Sequence, residues 1–183
     1  MSKVDEEYIC KNVFIGKTDV SGMTKEEAVK AVNNTLGDYR NKQLVLKVKD
    51  QGADVSIEEM GAEVENIDKL AEKAVGYGKN GSIWSRYQKI HNLDKKKYVI
   101  DESFKVDEAK LRELIQERAV PLEQKAVNAS ASYNGSGFDL TDEAEGYTVD
   151  VDKSVKKIKN FMNKKWNYED AEVELKLDTE EPT

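Results

Sequence analysis

The sequence predicts an α+β fold: two related helix-hairpin-helix units with mainly antiparallel sheet and helices packed on one side. Three observations predict it. A helical apolar pattern, a hairpin pattern and a second helical pattern occur in that order and then recur. The strand segments alternate apolar and polar residues, which is the pattern of a sheet buried on one face. Finally, 36% of the 183 residues are charged and 38% are hydrophobic, which suits thin amphipathic elements and not a thick parallel sheet covered on both faces.

The first unit opens with "GKTDVSGMTKEEA" (16–28). Thr24 and Glu27 have the spacing of a capping box ahead of Ala28, Val29, Val32 and Leu36, so a helix is expected over about 25–36. Met23 is placed to staple against Ala28, and Gly22 lets the chain turn out of the preceding strand. "KQLVLKVKD" alternates Leu44, Leu46 and Val48 as a strand, Gln51-Gly52 is read as the turn, and "ADVSIEEMG" is the returning strand, broken by Gly61. Ile67, Leu70, Ala71, Ala74 and Val75 then form a second helix that stops at Gly76.

Between the units, Ser82 is expected to cap a short helix holding Ile83, Trp84, Tyr87 and Ile90, with Ile83 and Trp84 in the core. Tyr98 to Ile100 leads onward as a strand. The second unit repeats the order with a helix over 107–116, carrying Ala109, Leu111, Leu114 and Ile115. A hairpin follows with Asn134-Gly135 at its turn, then a helix from Asp152 through Val155, Ile158 and Met162. "GAEVENID" (61–68) corresponds to "GYTVDVD" (146–152), and "AEVELKLD" supplies a last strand through Val173, Leu175 and Leu177. The halves therefore run over about 11–92 and 97–178. The polar end from 179 to 183 reads as the start of a linker.

The balance of 29 basic and 36 acidic residues gives a formal net charge of −7, the wrong sign for a nucleic-acid partner. One cysteine, Cys10, and one histidine, His91, supply neither a disulfide framework nor a set of zinc ligands, so no metal or cofactor is expected. The N-terminal stretch lacks the apolar run of a signal peptide, and no segment is apolar enough to span a membrane. Cys10 and His91 lack the neighbours of a nucleophile and base, so no catalytic residue is expected. The acidic pairs Glu26/Glu27, Glu58/Glu59 and Glu180/Glu181 point apart and read as solvated charge.

Two segments are left as candidates. In "GYGKNGSIWSR" the glycines allow close backbone approach. The amides of Asn80, Gly81 and Ser82 open a helix, Lys79 and Arg86 add positive charge, and Tyr77, Trp84 and Tyr87 offer aromatic faces that suit sugars or peptide side chains as well as they suit a core. The plainer reading of this segment is a structural crossing between the units. The hairpin tip "SYNGSGF" (132–138) is the second candidate, and its plainer reading is a simple turn.

Taken together, "NVFIGKTDVSGMTKEEAVKAV", the run from "LGDYRNKQLVLKVKD" through "GAEVENIDKLAEKAVGYGKNGSIWSR", and "AEGYTVDVDKSVKKI" resemble a peptidoglycan-binding domain. That domain precedes the catalytic domain of many bacterial L,D-transpeptidases and also occurs in VanW-type proteins. The resemblance implies a noncatalytic cell-wall domain over 11–178 that binds or positions peptidoglycan strands for an adjoining crosslinking domain in the same polypeptide. It also implies a place outside the membrane, with residues 1–10 as a leader after an N-terminal transmembrane anchor. The transpeptidase signature of a histidine and then a serine-x-glycine-cysteine stretch has no counterpart around Cys10. The alternative is a spacer or protein-interaction module of the cell envelope that binds no glycan.

Overall fold

The computed structural model of the chain describes residues 6–182. In chain order the strands and helices of the first half are β1 (Val13–Ile15), β2 (Thr18–Asp19), α1 (Lys25–Asp38), β3 (Gln43–Val48), β4 (Gln51–Ser56), β5 (Glu63–Val64), α2 (Ile67–Gly76) and α3 (Ile83–Asn92). The second half supplies β6 (Tyr98–Ile100), β7 (Phe104–Lys105), α4 (Glu108–Leu114), β8 (Ser130–Tyr133), β9 (Phe138–Thr141), β10 (Gly146–Val149), α5 (Val151–Lys164), β11 (Ala171–Glu174) and β12 (Leu177–Glu180). The fold is mixed α+β with mainly antiparallel pairing. The exceptions are β6, parallel to β1, and β11, parallel to β3.

The chain forms two compact units, each interleaved in sequence. One takes the described residues up to Arg40 together with Glu63–Lys105, and the other takes Asn41–Ala62 with the described residues from Val106 onward. These units do not coincide with the sequence halves: the β3–β4 hairpin lies in a different unit from α1 and α2, the helices that flank it in sequence.

In the first unit, α1 begins as its sequence dictates. The Thr24 hydroxyl accepts from Glu27 N and the Glu27 carboxylate accepts from Thr24 N, completing the capping box. Its buried face is Ala28, Val32 and Leu36. A three-stranded sheet of order β2-β1-β6 and the small pair β5–β7 complete this body. Parallel pairing of β1 with β6 sets fully buried Val13 against Tyr98 and fully buried Ile15 against Ile100. The fold starts before residue 11: Ile9 is buried, donates to Met23 O and accepts from Gly22 N. The remainder of the expected leader, residues 1–5, lies outside the described residues, as does Thr183.

In the second unit, the sheet order is β11-β3-β4, with Leu44, Leu46 and Val48 buried as their alternation requires. The turn between β3 and β4 falls on Lys49 and Asp50, not on Gln51-Gly52. Val48 pairs with Gln51, and Lys49 takes a φ of 52°. Gly52 lies inside β4, where a Cβ would stand 2.6 Å from Val45 Cγ1, so its smallness serves the strand and not the turn.

Asp107 caps α4 by accepting from Ala109 N and Lys110 N. The helix then widens into a π turn over Ile115–Ala119, burying Leu111, Leu114 and Ile115 while Ala109 stays exposed. α5 starts at Val151, one residue earlier than expected, because Asp150 takes the cap and accepts from Lys153 N. The last apolar alternation is split between two strands. β11 lies parallel to β3, whereas β12 turns away to pair with β10 and continues through Glu180, past the expected boundary at 178.

Candidate functional site

The candidate segment 77–87 lies in the first unit, where it follows α2 and forms a glycine loop and the start of α3. Gly78 is buried at φ +79°, and a Cβ there would meet Ile90 Cγ1 at 3.1 Å and Cys10 Sγ at 3.7 Å. Only glycine fits this crossing of chain segments. Lys79 is used inside the fold: its ammonium donates to Glu6 O at 3.0 Å and Tyr8 O at 2.5 Å. Asn80 Nδ2 reaches back to Gly76 O at 3.5 Å. Gly81 sits at φ +106° ahead of Ser82, which caps α3 by accepting from Ser85 N.

No residue of α3 is buried. Ile83 is 69% exposed and Trp84 68%, so neither belongs to the core expected from the sequence. The helical spacing was read correctly, but the stripe it makes faces solvent. Trp84, Tyr87 and His91 form a ladder of near-parallel rings. Trp84 and Tyr87 are 6.0 Å apart at 22°, and Tyr87 and His91 are 5.8 Å apart at 4°. These are i, i+3 and i+7 positions, which share one helix face. Arg86 is exposed on the same helix.

The ladder runs toward the C-terminal end of α3, where a groove of about 530 Å³ opens. Its walls include Tyr77, Tyr98, Lys95, Lys96 and Lys97. Tyr77 and Tyr98 stack with centroids 3.7 Å apart and planes at 14°. Burial and then the neighbouring Tyr98 and Cys10 push the Tyr77 phenol above its ordinary value, which keeps it a neutral hydrogen-bond donor. The Cys10 thiol donates to Tyr77 O at 3.5 Å.

Asn12 braces the lysine segment at both ends. Its Nδ2 donates to Leu93 O at 2.7 Å, and its carbonyl accepts from Tyr98 N at 2.8 Å. Lys97 Nζ lies 5.1 Å from the centre of the Phe14 ring. Asp94 is paired with Lys11, which holds its carboxyl below the usual range, and Asp94 Oδ2 lies 3.6 Å from His91 Nδ1. Positive charge thus gathers at the negative end of the α3 dipole.

The structure therefore brings Tyr87 together with Trp84 and His91, and Tyr77 together with Tyr98 and three lysines. It does not bring Lys79 into the groove. The residues that sequence reasoning missed are Tyr98 and Lys95–Lys97. Their signal was the basic run ahead of an aromatic in "DKKKYVI", of which only Tyr98 to Ile100 was used, as a strand. Chemically, flat ring faces suit the apolar faces of sugars, and clustered ammonium groups suit carboxylates. Among the described residues no group of three or more His, Cys, Asp or Glu side chains is placed to hold a metal ion, and no helix is long and apolar enough to cross a membrane.

A family model described as "Putative peptidoglycan binding domain" matches residues 53–178, more than half of the chain and the whole of α3 and its groove. No curated protein and no solved structure matches the chain. The chain belongs to this peptidoglycan-binding family.

Proposed function

We propose that, within this family, the chain is a noncatalytic module that holds a peptidoglycan strand along α3 and the groove at its end. Sugar rings lie on Trp84, Tyr87 and His91, and stem-peptide carboxylates meet Lys95, Lys96 and Lys97, with Arg86 alongside. The observation that carries this reading is the ladder of three exposed, near-parallel rings on a helix whose last residue, Asn92, lines a groove that also carries three lysines. A helix with no buried residue contributes little to the core, so exposed aromatics there call for a partner.

The module positions strands for a crosslinking domain of the L,D-transpeptidase kind in the same polypeptide. It works on the outer face of the membrane, anchored by an N-terminal transmembrane helix. One observation favours a second reading, a protein-interaction module: the β8–β9 hairpin exposes Tyr133, Phe138 and Leu140.

Co-sedimentation with purified sacculi tests the first reading. The wild-type chain pellets, and the double variant Trp84→Ala/Tyr87→Ala binds about ten-fold more weakly, the loss expected for two stacked rings. A folded double variant that pellets as well as wild type takes the sugar contact off α3, whereas a wild-type chain that stays in the supernatant leaves the interaction-module reading.

A further inference from the structure

The sheet of the second unit has an open edge. Among the described residues β11 pairs with β3 alone and is the outermost strand of the order β11-β3-β4. Leu175 N donates to Lys47 O at 2.9 Å, so Leu175 faces β3. Successive residues of a strand turn their N–H and C=O groups to opposite sides. Val173 therefore also faces β3, and Glu172 and Glu174 direct their backbone groups outward.

A groove of about 380 Å³ borders this edge. One wall is Glu172, Val173 and Glu174 in succession, and the other carries Lys157, Phe161 and Lys164 of α5. Side chains of consecutive strand residues point to opposite faces, so a wall that includes all three runs along the strand's backbone edge. Lys157, Phe161 and Lys164 are i, i+4 and i+7 and share one helix face. An open strand beside a helix is the setting in which an extended peptide adds to a sheet, with main-chain bonds on one side and side-chain pockets on the other. The charges are divided: ammonium groups stand on the helix wall and carboxylates on the strand wall. A ligand that carries both signs fits this division better than one of a single sign.

We propose that this groove takes the stem peptide of peptidoglycan, a short extended peptide bearing free carboxylates and the free amine of a diamino acid. Its main chain bonds the outward groups of Glu172 and Glu174. Its carboxylates meet Lys157 and Lys164, its amine meets a glutamate of the strand wall, and Phe161 supplies apolar contact. The proposal rests on the peptidoglycan reading and gives the second unit a stem-peptide site of its own, in addition to the carboxylate contacts proposed at Lys95–Lys97.

The test is an amide chemical-shift titration of the labelled chain with a sugar-free tetrapeptide, L-Ala-γ-D-Glu-diaminopimelate-D-Ala. Saturable shifts are expected at Glu172–Glu174 and along Lys157–Lys164. The double variant Lys157→Glu/Lys164→Glu raises Kd about ten-fold or more. Glu172→Pro removes an outward N–H without touching the β3 ladder and has a similar effect. Shifts confined to Lys95–Lys97, no shifts up to millimolar peptide, or an affinity indifferent to both variants would overturn the proposal. So would tighter binding of an all-α-linked acidic peptide at the same edge, which would make this a protein-segment site. Sacculus co-sedimentation of the wild-type chain separates the two failures. Pelleting without shifts at β11 sinks this proposal alone, whereas no pelleting sinks the peptidoglycan reading beneath it.

Discussion

Arg118 and Glu59 meet as a fork. Arg118 Nη1 donates to Glu59 Oε2 at 3.2 Å while Nη2 donates to Oε1, and Nη1 also donates to Asp54 O at 2.7 Å. The same carboxylate accepts from Ser56 N and Ser56 Oγ. Glu59, read in the sequence as solvated charge, thus closes the turn after β4 and ties it to the π segment that follows α4.

Acid should release this fork. The Arg118 guanidinium, and then the Ser56 donors, hold the Glu59 carboxyl at about 2, below its ordinary 4.5. A carboxyl held low in the folded state contributes stability that is fully present above its ordinary value and is lost as pH falls through about 4.5 toward about 2. Both side chains are more than one-third exposed, so solvent screening keeps the pair's contribution to about 1 kcal/mol. Arg118→Met should lower stability by about that much at neutral pH and flatten the acid limb of a Tm-against-pH curve. An acid limb as steep as wild type would remove Glu59 as its cause.

Gly146 is fixed by close approach and not by conformation. A Cβ there would stand 2.3 Å from Ala126 N and 3.0 Å from its Cα, beside the bridge of Gln124 with Tyr147. The contacts are backbone atoms, so no rotamer change relieves them. Gly146→Ala should cost about 1 to 3 kcal/mol. Gly22→Ala, where nothing lies within 4 Å and only φ +72° opposes the change, should cost about 1 kcal/mol. Thermal unfolding of the pair checks the order.

The β8–β9 hairpin should be dispensable to stability. Every residue of both strands is exposed. Tyr133 and Phe138 meet edge to face at 5.4 Å, and the tip is held by Asn134 Oδ1, which accepts from Ser136 N and Gly137 N. Phe138→Ser with Leu140→Ser should leave unfolding within about 0.5 kcal/mol of wild type and raise the solubility limit. A larger loss would show that this face is covered within the folded chain.

Most of the local structure was legible because it is set by residues close in sequence. Thr24 with Glu27, Ser82 with Ser85, and the alternation of Leu44, Leu46 and Val48 each carry their own geometry. What was not legible depends on distant partners. Nothing in "AEVELKLD" says that β11 takes β3 while β12 takes β10, since alternation specifies a buried face and not a neighbour. The same limit explains Trp84: helical spacing shows that Ile83, Trp84 and Tyr87 share a side, and only packing decides whether that side meets a core or water. At the candidate site, Tyr77 and Tyr87 were found from the glycine loop, but Tyr98 reaches Tyr77 across more than twenty residues through strand pairing with β1.

Charge reversal should separate the groove from the glycine loop. The Lys79 ammonium is engaged by Glu6 O and Tyr8 O, so Lys79→Glu removes a clamp on the segment before β1 and should lower the Tm, whatever it does to binding. Lys95 and Lys96 are exposed and line the groove, so Lys95→Glu/Lys96→Glu should leave the Tm near that of wild type. One exposed pair contributes about 0 to 1 kcal/mol. Reversal replaces attraction with repulsion at two positions, so sacculus binding at low salt should fall about ten-fold. Raising ionic strength should narrow the gap, since exposed charges are screened beyond about 10 Å at 0.1 M salt. A groove variant that keeps full binding at low salt, beside a folded Lys79→Glu that loses it, would move the ligand onto the glycine loop.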